Sequence, residues 1–509
     1  MELELRRENV RCWQAVCRTT LEQEETAEMI VPDACPDIWQ VLDGQGKMLL
    51  QRKEPQDGRG EFSGLIRASI LYQPEGEGPI QVMEVTLPFA ASPDLPQVTR
   101  RSVIQAEPRL LSVDVHLLNP RKVLVRASWQ IQMVAYHPET LSLACYGEDG
   151  ETYAIRQKPG EYRSQMTVAV QEKSFSYNDT LTLPAGRSNA QAILSARGMC
   201  TCTEARVIGT KLVFKGEAQL KLLLRGEDGQ VFPADFHLPY SQLMDAGEDG
   251  EDALCQMSLY FSDMKCTLDP EDPRSIQAEL AVQAQAVLGK EVSVPILADL
   301  YSTAYELQPE VTPLSAVTMA ASSEEQVPLR QVLETSAVVG EIVDVQVHLG
   351  RAIQRREGED WVLTQEVHAV VLYQEEEGYG SLEGRTQVTH RLSGLGEKDC
   401  TFQAELLREP AAALAPNGVE VSAPLSFRWT ALDSRQMEVV SRVTLGEKRE
   451  RQGEQPSVIL RAVRQGETLW DVAKDSLSTE GEIMEATGLT SGEVYPGELL
   501  LIPRAVSTL

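Results

Sequence analysis

The chain has 509 residues, 42% apolar and 24% charged, a composition too apolar for a disordered chain and a length too great for one core. About 150 residues per domain predicts three or four domains. Acidic residues outnumber basic ones by 76 to 47, and the formal charge of −29 excludes nucleic acid and anionic membrane as ligands of the surface as a whole.

The start, Met1-Glu2-Leu3-Glu4-Leu5-Arg6-Arg7, lacks the apolar core of a signal peptide. No run approaches the roughly 18 apolar residues of a membrane span. A cytoplasmic protein without a transmembrane segment is expected. Nine scattered cysteines with no CxxC pair indicate neither a disulfide framework nor a zinc site.

Ile38, Val41 and Leu42 fall at helical spacing and predict a short opening helix. Phe62-Ser63-Gly64 then leads into Ile70-Leu71-Tyr72-Gln73, and Leu87-Pro88-Phe89 follows. From Lys122 the side chains alternate strictly. Val123, Val125, Ala127, Trp129, Ile131 and Met133 share one face, the period of a half-buried strand. Gly147-Glu148-Asp149-Gly150 has the composition of a hairpin turn.

These signals return about 152 positions later (214 − 62 and 222 − 70), and such a period is the mark of a repeat. Ala190, Ile193 and Leu194 predict a second opening helix, Phe214-Lys215-Gly216 leads into Leu222-Leu223-Leu224-Arg225, and Leu238-Pro239-Tyr240 follows. Cys200 and Cys202, two apart on a strand, share a face and are expected to pack. Gly-Glu-Asp-Gly recurs at 226–229 and 247–250, and Ile276, Ala278, Leu280, Val282, Ala284 and Ala286 alternate as the first unit's strand does. A third copy carries Val371-Leu372-Tyr373-Gln374 and a strand with Val419, Val421, Ala423, Leu425, Phe427 and Trp429 on one face. Pro424 lies inside it and predicts an edge strand or a bulge. The fold class is mainly β: tandem antiparallel β-sandwich or barrel-like units at 1–150, 165–310 and, degenerate, 320–446.

A charged stretch with Lys448-Arg449-Glu450-Arg451 reads as a solvated linker over 447–457. Beyond it the pattern changes. Ile459 to Val463 reads as a strand, and Gly466-Glu467 as a turn. Thr468 caps a helix with Leu469, Val472 and Ala473 on one face. Thr479 and Glu482 have capping-box spacing for a second helix ending at Gly488, and Leu499 to Ile502 supplies a closing strand. The module at 458–504 is a small βααβ domain.

Catalysis needs a nucleophile, acid, base or metal held in a geometry, and no motif for one is present. There is no GxxxxGK[ST] loop and no GxSxG elbow. His116 and His348 sit in Val-His-Leu strand contexts, with His237 and His390 in other strands, and no HExxH or HxH pattern occurs. No enzyme, metal or cofactor is expected.

The C-terminal segment resembles the LysM family. Val463-Arg464-Gln465-Gly466-Glu467-Thr468-Leu469-Trp470-Asp471-Val472-Ala473 matches its opening motif and Tyr495-Pro496-Gly497-Glu498-Leu499-Leu500-Leu501-Ile502-Pro503 its close. The resemblance implies a shallow groove for N-acetylglucosamine polymers such as peptidoglycan. Gly466, Glu467, Thr468 and Leu469 would form one wall, and Thr487, Gly488, Leu489 and Tyr495 the other, with Trp470 in the core or anchoring an interface. Thr487 replaces the usual asparagine, Glu467 the usual aspartate and Leu477 the usual glycine, so the groove serves either glycan or a protein partner.

The upstream units, with their FxG-to-LYQ strand, following LPF or LPY, and Pro32-Asp33-Ala34-Cys35-Pro36-Asp37-Ile38 opening, resemble SPOCS (DUF3794) repeats of spore-coat morphogenetic proteins. That resemblance implies a non-enzymatic scaffold in spore coat or envelope assembly, in the mother-cell cytoplasm at the forespore surface. It implies a SpoIVA-like coat-basement ATPase as partner. The alternative from the LysM motif alone is a peptidoglycan-binding, wall-associated protein.

Overall fold

The computed structural model describes residues 1–76, 78–247, 250–376, 378–449 and 458–503. Up to Lys448 it is built from one plan used three times. In the first unit β1 (Leu5–Ile30) runs the full length of the domain. The meander β2 (Ile38–Gln56), β3 (Arg59–Pro74) and β4 (Gln81–Ala91) follows, and β5 (Val103–Asn119) leads into β6 (Lys122–Gly147). β6 returns antiparallel along all of β1, from Ile30↔Lys122 to Leu5↔Gly147. The second unit repeats this with β7 (Ile155–Thr182), the meander β8 (Ala190–Ile208), β9 (Lys211–Gly226) and β10 (Val231–Asp245), then β11 (Leu254–Leu268) and β12 (Ser275–Ser302). The third has β13 (Tyr305–Glu334), the meander β14 (Ile342–Glu357), β15 (Asp360–Gln374) and β16 (Tyr379–Leu392), two short strands β17 (Asp399–Leu406) and β18 (Ala411–Ala415), and β19 (Gly418–Lys448).

Each meander covers one half of its own long ladder to make a sandwich. The expected alternation defines the cores: Val123, Val125, Ala127, Trp129 and Ile131 are all fully buried, as are their counterparts from Ile276 to Ala286 and from Val419 to Phe427. Cys200 and Cys202 pack against the second core, as expected, and burial pushes the Cys200 thiol up to about 12. The uncovered halves of the three ladders pack on one another. Leu143, Tyr162, Met166, Val294, Ile296 and Val439 form one of the clusters that join them. β1 and β7 meet at Trp13↔Thr167, so one six-stranded sheet, β11-β12-β7-β1-β6-β5, runs through the first two units.

The meanders close in a ring, β4 touching β8, β10 touching β14 and β16 touching β2. At the centre Leu42, Leu194 and Val343 meet, one from each unit, together with Leu71, Leu223 and Leu372. A β-bulge places them there: the register shifts between Val41 and Asp43, between Ile193 and Ser195, and between Ile342 and Asp344. The extra residue in each bulge is the one turned toward the centre. The two expected opening helices do not exist, for the same reason. Ile38, Val41 and Leu42, like Ala190, Ile193 and Leu194, lie on bulged strands, and one inserted residue converts a period of two into apparent helical spacing.

Two further motifs acquire a physical cause. Gly64 is opposite Phe89, and Gly216 opposite Tyr240, so the FxG glycine lies under the aromatic ring of the LPF or LPY motif. A Cβ at Gly64 would lie 2.1 Å from the Leu49 carbonyl oxygen and 2.8 Å from the Phe89 ring. The third unit has Gln365 at the matching position, opposite Val388 rather than an aromatic, and its buried amide donates to the Gly350 carbonyl at 2.9 Å. The Pro32–Asp37 opening is clamped by Arg121, which donates to the carbonyls of Val31 (2.9 Å) and Cys35 (3.0 Å) and to Asp37 (2.9 Å).

Pro424 lies neither at an edge nor in a bulge. It faces Pro328 across the β13–β19 ladder, and its carbonyl accepts from Leu407 on the other side, at the junction where β17 ends before β18 begins. Its missing N–H therefore falls where no strand needs a donor. Of the expected linker, Glu447 and Lys448 still belong to β19, and 450–457 lies outside the described residues. The Gly-Glu-Asp-Gly at 247–250 also falls partly outside them, at 248 and 249.

Beside the apolar centre lies a ring of polar side chains from all three units. Arg197 grips Asp344 through both terminal nitrogens at 2.7 Å, and Lys221 stands 3.4 Å from the same carboxylate. Asp43 accepts from Gln45 at 2.8 Å and Gln346 at 3.0 Å, but burial holds its pKa up at about 6. An acid whose folded pKa lies above its unfolded one weakens the fold as it ionises, so stability falls as pH rises from about 4 to 6. The Asp43→Asn variant is expected to remove that slope. It should gain up to about 3 kcal/mol at pH 7, less to the extent that the adjoining cavity admits water, since an amide oxygen accepts both hydrogen bonds without charge. Urea unfolding at pH 4.5 and pH 7 measures it; an unchanged pH slope in the variant would contradict the assignment.

Candidate functional site: a docked C-terminal module

The C-terminal module is β20 (Val458–Ala462), α1 (Leu469–Ser476), α2 (Glu480–Thr487) and β21 (Leu499–Pro503). Both helices start in full capping boxes, Thr468 with Asp471 and Thr479 with Glu482. α1 ends at Leu477 in the left-handed region (φ 54°), where the family's usual glycine carries no steric cost. α2 ends at Gly488, also left-handed. β20 and β21 pair antiparallel from Val458↔Pro503 to Ala462↔Leu499, and Val463, Leu469, Val472, Ile483, Leu500 and Ile502 fill the small core.

The expected wall residues divide by what already holds them. Glu467 accepts from Arg461 (2.8 Å) and from the Arg464 amide (2.8 Å), so it fixes the turn in which Gly466 adopts φ 83°. Thr468 is committed to its cap, and Leu469 is buried. Thr487 accepts the Leu501 amide at 2.9 Å and thus ties α2 to β21. The Leu489 amide bonds the Met484 carbonyl while its side chain packs on the core. The Tyr495 ring is 67% exposed and stays available to a ligand. The turn from Tyr495 to Glu498 lies against the first wall: Val463 exchanges backbone bonds with Glu498 and Gly497, both 2.9 Å.

Trp470 is buried, and the residues that receive it come from the second unit. Its indole N–H donates to Asp299 at 2.9 Å, Lys474 donates to both oxygens of the same carboxylate at 2.7 Å, and Tyr301 donates to the Ser478 carbonyl at 2.8 Å. The Tyr301 ring meets Trp470 edge-on at 4.9 Å and is itself part of the module's core. Asp299 and Tyr301 lie at the end of β12, about 170 residues from Trp470 (470 − 299), and no local pattern marks them. An Asp299→Ala variant is expected to leave both domains folded but loosen the dock. The Trp470 fluorescence should shift to the red and hydrogen exchange in α1 should rise; an unchanged spectrum and exchange would contradict the contact.

The module is acidic, with eight Asp and Glu against three Lys and Arg over 458–503. Its outer sheet face is apolar and open: Val458, Leu460, Leu499 and Leu501 are all exposed. Sequence reasoning also missed a grouping of imidazoles. His348 and His368 are cross-strand partners in β14 and β15, and with His116 they line one cavity between the first and third units. Among the described residues no group of three or more His, Cys, Asp or Glu is arranged to hold a metal, and no helix is long and apolar enough to cross a membrane.

Comparison with known families follows these boundaries. Residues 37–118 match the family described as SipL, SPOCS domain, a span from the start of the first meander to the end of β5. Residues 462–503 match the LysM domain. Neither a curated protein nor a solved structure matches the chain. Both families are non-catalytic binding domains, and their combination is that of a sporulation-related scaffold carrying a module of the peptidoglycan-binding class. The chain therefore combines a segment that matches the SPOCS family with a C-terminal segment that matches the LysM domain.

Proposed function

We propose that this protein is a non-enzymatic scaffold of spore coat or envelope assembly. It works in the mother-cell cytoplasm, and its LysM module is a docking head for a SpoIVA-like coat-basement ATPase at the forespore surface. On this reading all three units are SPOCS repeats, the third diverged where Gln365 replaces the FxG glycine. The observation that carries the proposal is the open apolar face of β20 and β21, with Leu460, Leu499 and Leu501 exposed on an acidic module. An exposed apolar patch rimmed by charge suits a protein partner. Trp470 is engaged by Asp299 and Tyr301, whereas this face remains free.

Peptidoglycan binding is the second reading, favoured by the exposed Tyr495 beside the Gly466 turn, where an aromatic face and backbone amides suit a sugar. A fluorescent fusion in sporulating cells separates the two. The scaffold reading expects a ring around the forespore that Leu460→Glu disperses. A protein that sediments with purified peptidoglycan and never rings the forespore would overturn it in favour of the second.

A further inference from the structure

The cavity between the first and third units has a volume of about 360 Å³ and is walled by β2 and β5 on one side and β14, β15 and β16 on the other. Its ionisable lining is Asp43, Asp114, Glu383, His116, His348 and His368; Ser112 and Ser381 add hydroxyls, and the rest is valine, leucine and glycine of the same strands. No lysine or arginine lines it; Arg385, opposite His368 in β16, lies outside the lining. Neither ring nitrogen of His348 has a partner among the described residues, and Nδ1 of His368 is buried without one. The other His368 nitrogen lies 3.3 Å from Glu383. Burial, then the neighbouring His368, hold His348 neutral with a pKa of about 4, so at neutral pH it offers lone pairs and no charge.

The threefold repeat says what belongs there. His348 and His368 are opposite each other in the third meander as Lys47 and Arg67 are in the first, both displaced by 301 positions (348 − 47 and 368 − 67). At the seam between the first and second units those two cations bind the neighbouring unit directly. Lys47 donates to the Ala196 carbonyl at 3.3 Å, and Arg67 to the Met264 carbonyl and the Asp263 carboxylate, both at 3.0 Å. At the seam between the third and first units the same two positions hold neutral imidazoles, and open space lined by carboxylates replaces the cationic heads. The nearest guanidinium of the central ring, Arg197, is taken by Asp344.

We propose that this cavity binds a small organic cation, a primary ammonium on a short alkyl chain, which supplies the positive charge that Lys47 and Arg67 supply at the equivalent seam. The ammonium donates to the carboxylates and free imidazole nitrogens, and the alkyl stem lies along Leu110, Val113 and Val370. A ligand there binds the folded chain only, so it stabilises the joint between first and third units.

The probe is 1,4-diaminobutane, titrated into the full chain by calorimetry at fixed ionic strength, with 1,4-butanediol as the uncharged control. Because the chain carries −29, amines also collect on its surface as counterions, so the decisive arms are variants. His348→Lys installs in the third unit the lysine the first already has; Glu383→Gln alters a side chain that is 74% exposed. The expected result is one saturable site on the wild type, no binding of the diol, loss of the site in His348→Lys and binding weakened by about tenfold or more in Glu383→Gln. The imidazole resonances of His348 and His368 should move with the same saturation curve. Non-saturating uptake, or equal binding by wild type and both variants, would overturn the proposal.

Discussion

Replacing Arg197 by methionine is expected to cost about 3–5 kcal/mol. The guanidinium holds Asp344, whose side chain is 1% exposed, and the methionine stem leaves that carboxylate buried with only Lys221 at 3.4 Å. Asp43, in the same ring, also loses the nearest positive charge that favours its ionised form. The reference for this cost is the uncompensated charge, not the pair itself, so the double variant Arg197→Met with Asp344→Leu should recover most of the loss. A double-mutant cycle by chemical denaturation measures the coupling. Additive losses, with the double variant weaker than either single one, would show that the ring does not join the units in the way described.

Gly216→Ala is the second large effect. The new Cβ would stand 1.8 Å from the Thr201 carbonyl oxygen and 2.6 Å from the Tyr240 hydroxyl, which itself donates to that carbonyl at 2.8 Å. The obstacle is backbone, so a change of rotamer gives no relief. The strand must separate or the bulge between Cys202 and Glu204 must move, and a cost of about 2–3 kcal/mol or more is expected. In a unit of this size that lowers Tm by roughly 4–12 °C. Trimming the aromatic with Tyr240→Phe should not restore the loss, because the carbonyl remains. Gly481→Ala in α2, with no atom within 4 Å of its Cβ, serves as control and should be neutral or gain up to about 1 kcal/mol. Equal behaviour of the two alanines would remove the steric account of the FxG motif.

What could be read in advance was local. Alternation along β6, β12 and β19 named the buried faces correctly because side-chain direction in a strand depends only on position parity. The capping residues Thr468 and Thr479 announced both helices of the LysM module because the signal is just as local: each cap adjoins its helix and its box partner lies three residues on. The bulges at Leu42, Leu194 and Val343 defeated the reading, since an inserted residue resets parity and imitates a helix. Pro424 was misplaced because its effect depends on where β17 and β18 break, which its own sequence context does not encode.

The contacts that close the molecule were out of reach altogether. Asp299 and Tyr301 meet Trp470 and Ser478, and His116 comes beside His348 and His368, through folding of distant strands with no shared motif. The LysM turns were legible; the use of their side chains was not. The motif located the turns at Gly466 and Gly488, but Glu467, Thr468 and Thr487 hold the module together internally, while the open apolar face of β20 and β21 follows from which side of a two-stranded sheet the helices cover.

The central claim is that the LysM module is the docking head of a coat scaffold, and affinity capture with a SpoIVA-like coat-basement ATPase tests it most directly. The full chain should retain the ATPase, and a chain ending before Val458 should lose it. Capture that survives removal of 458–503, or no capture by either chain, would contradict the account.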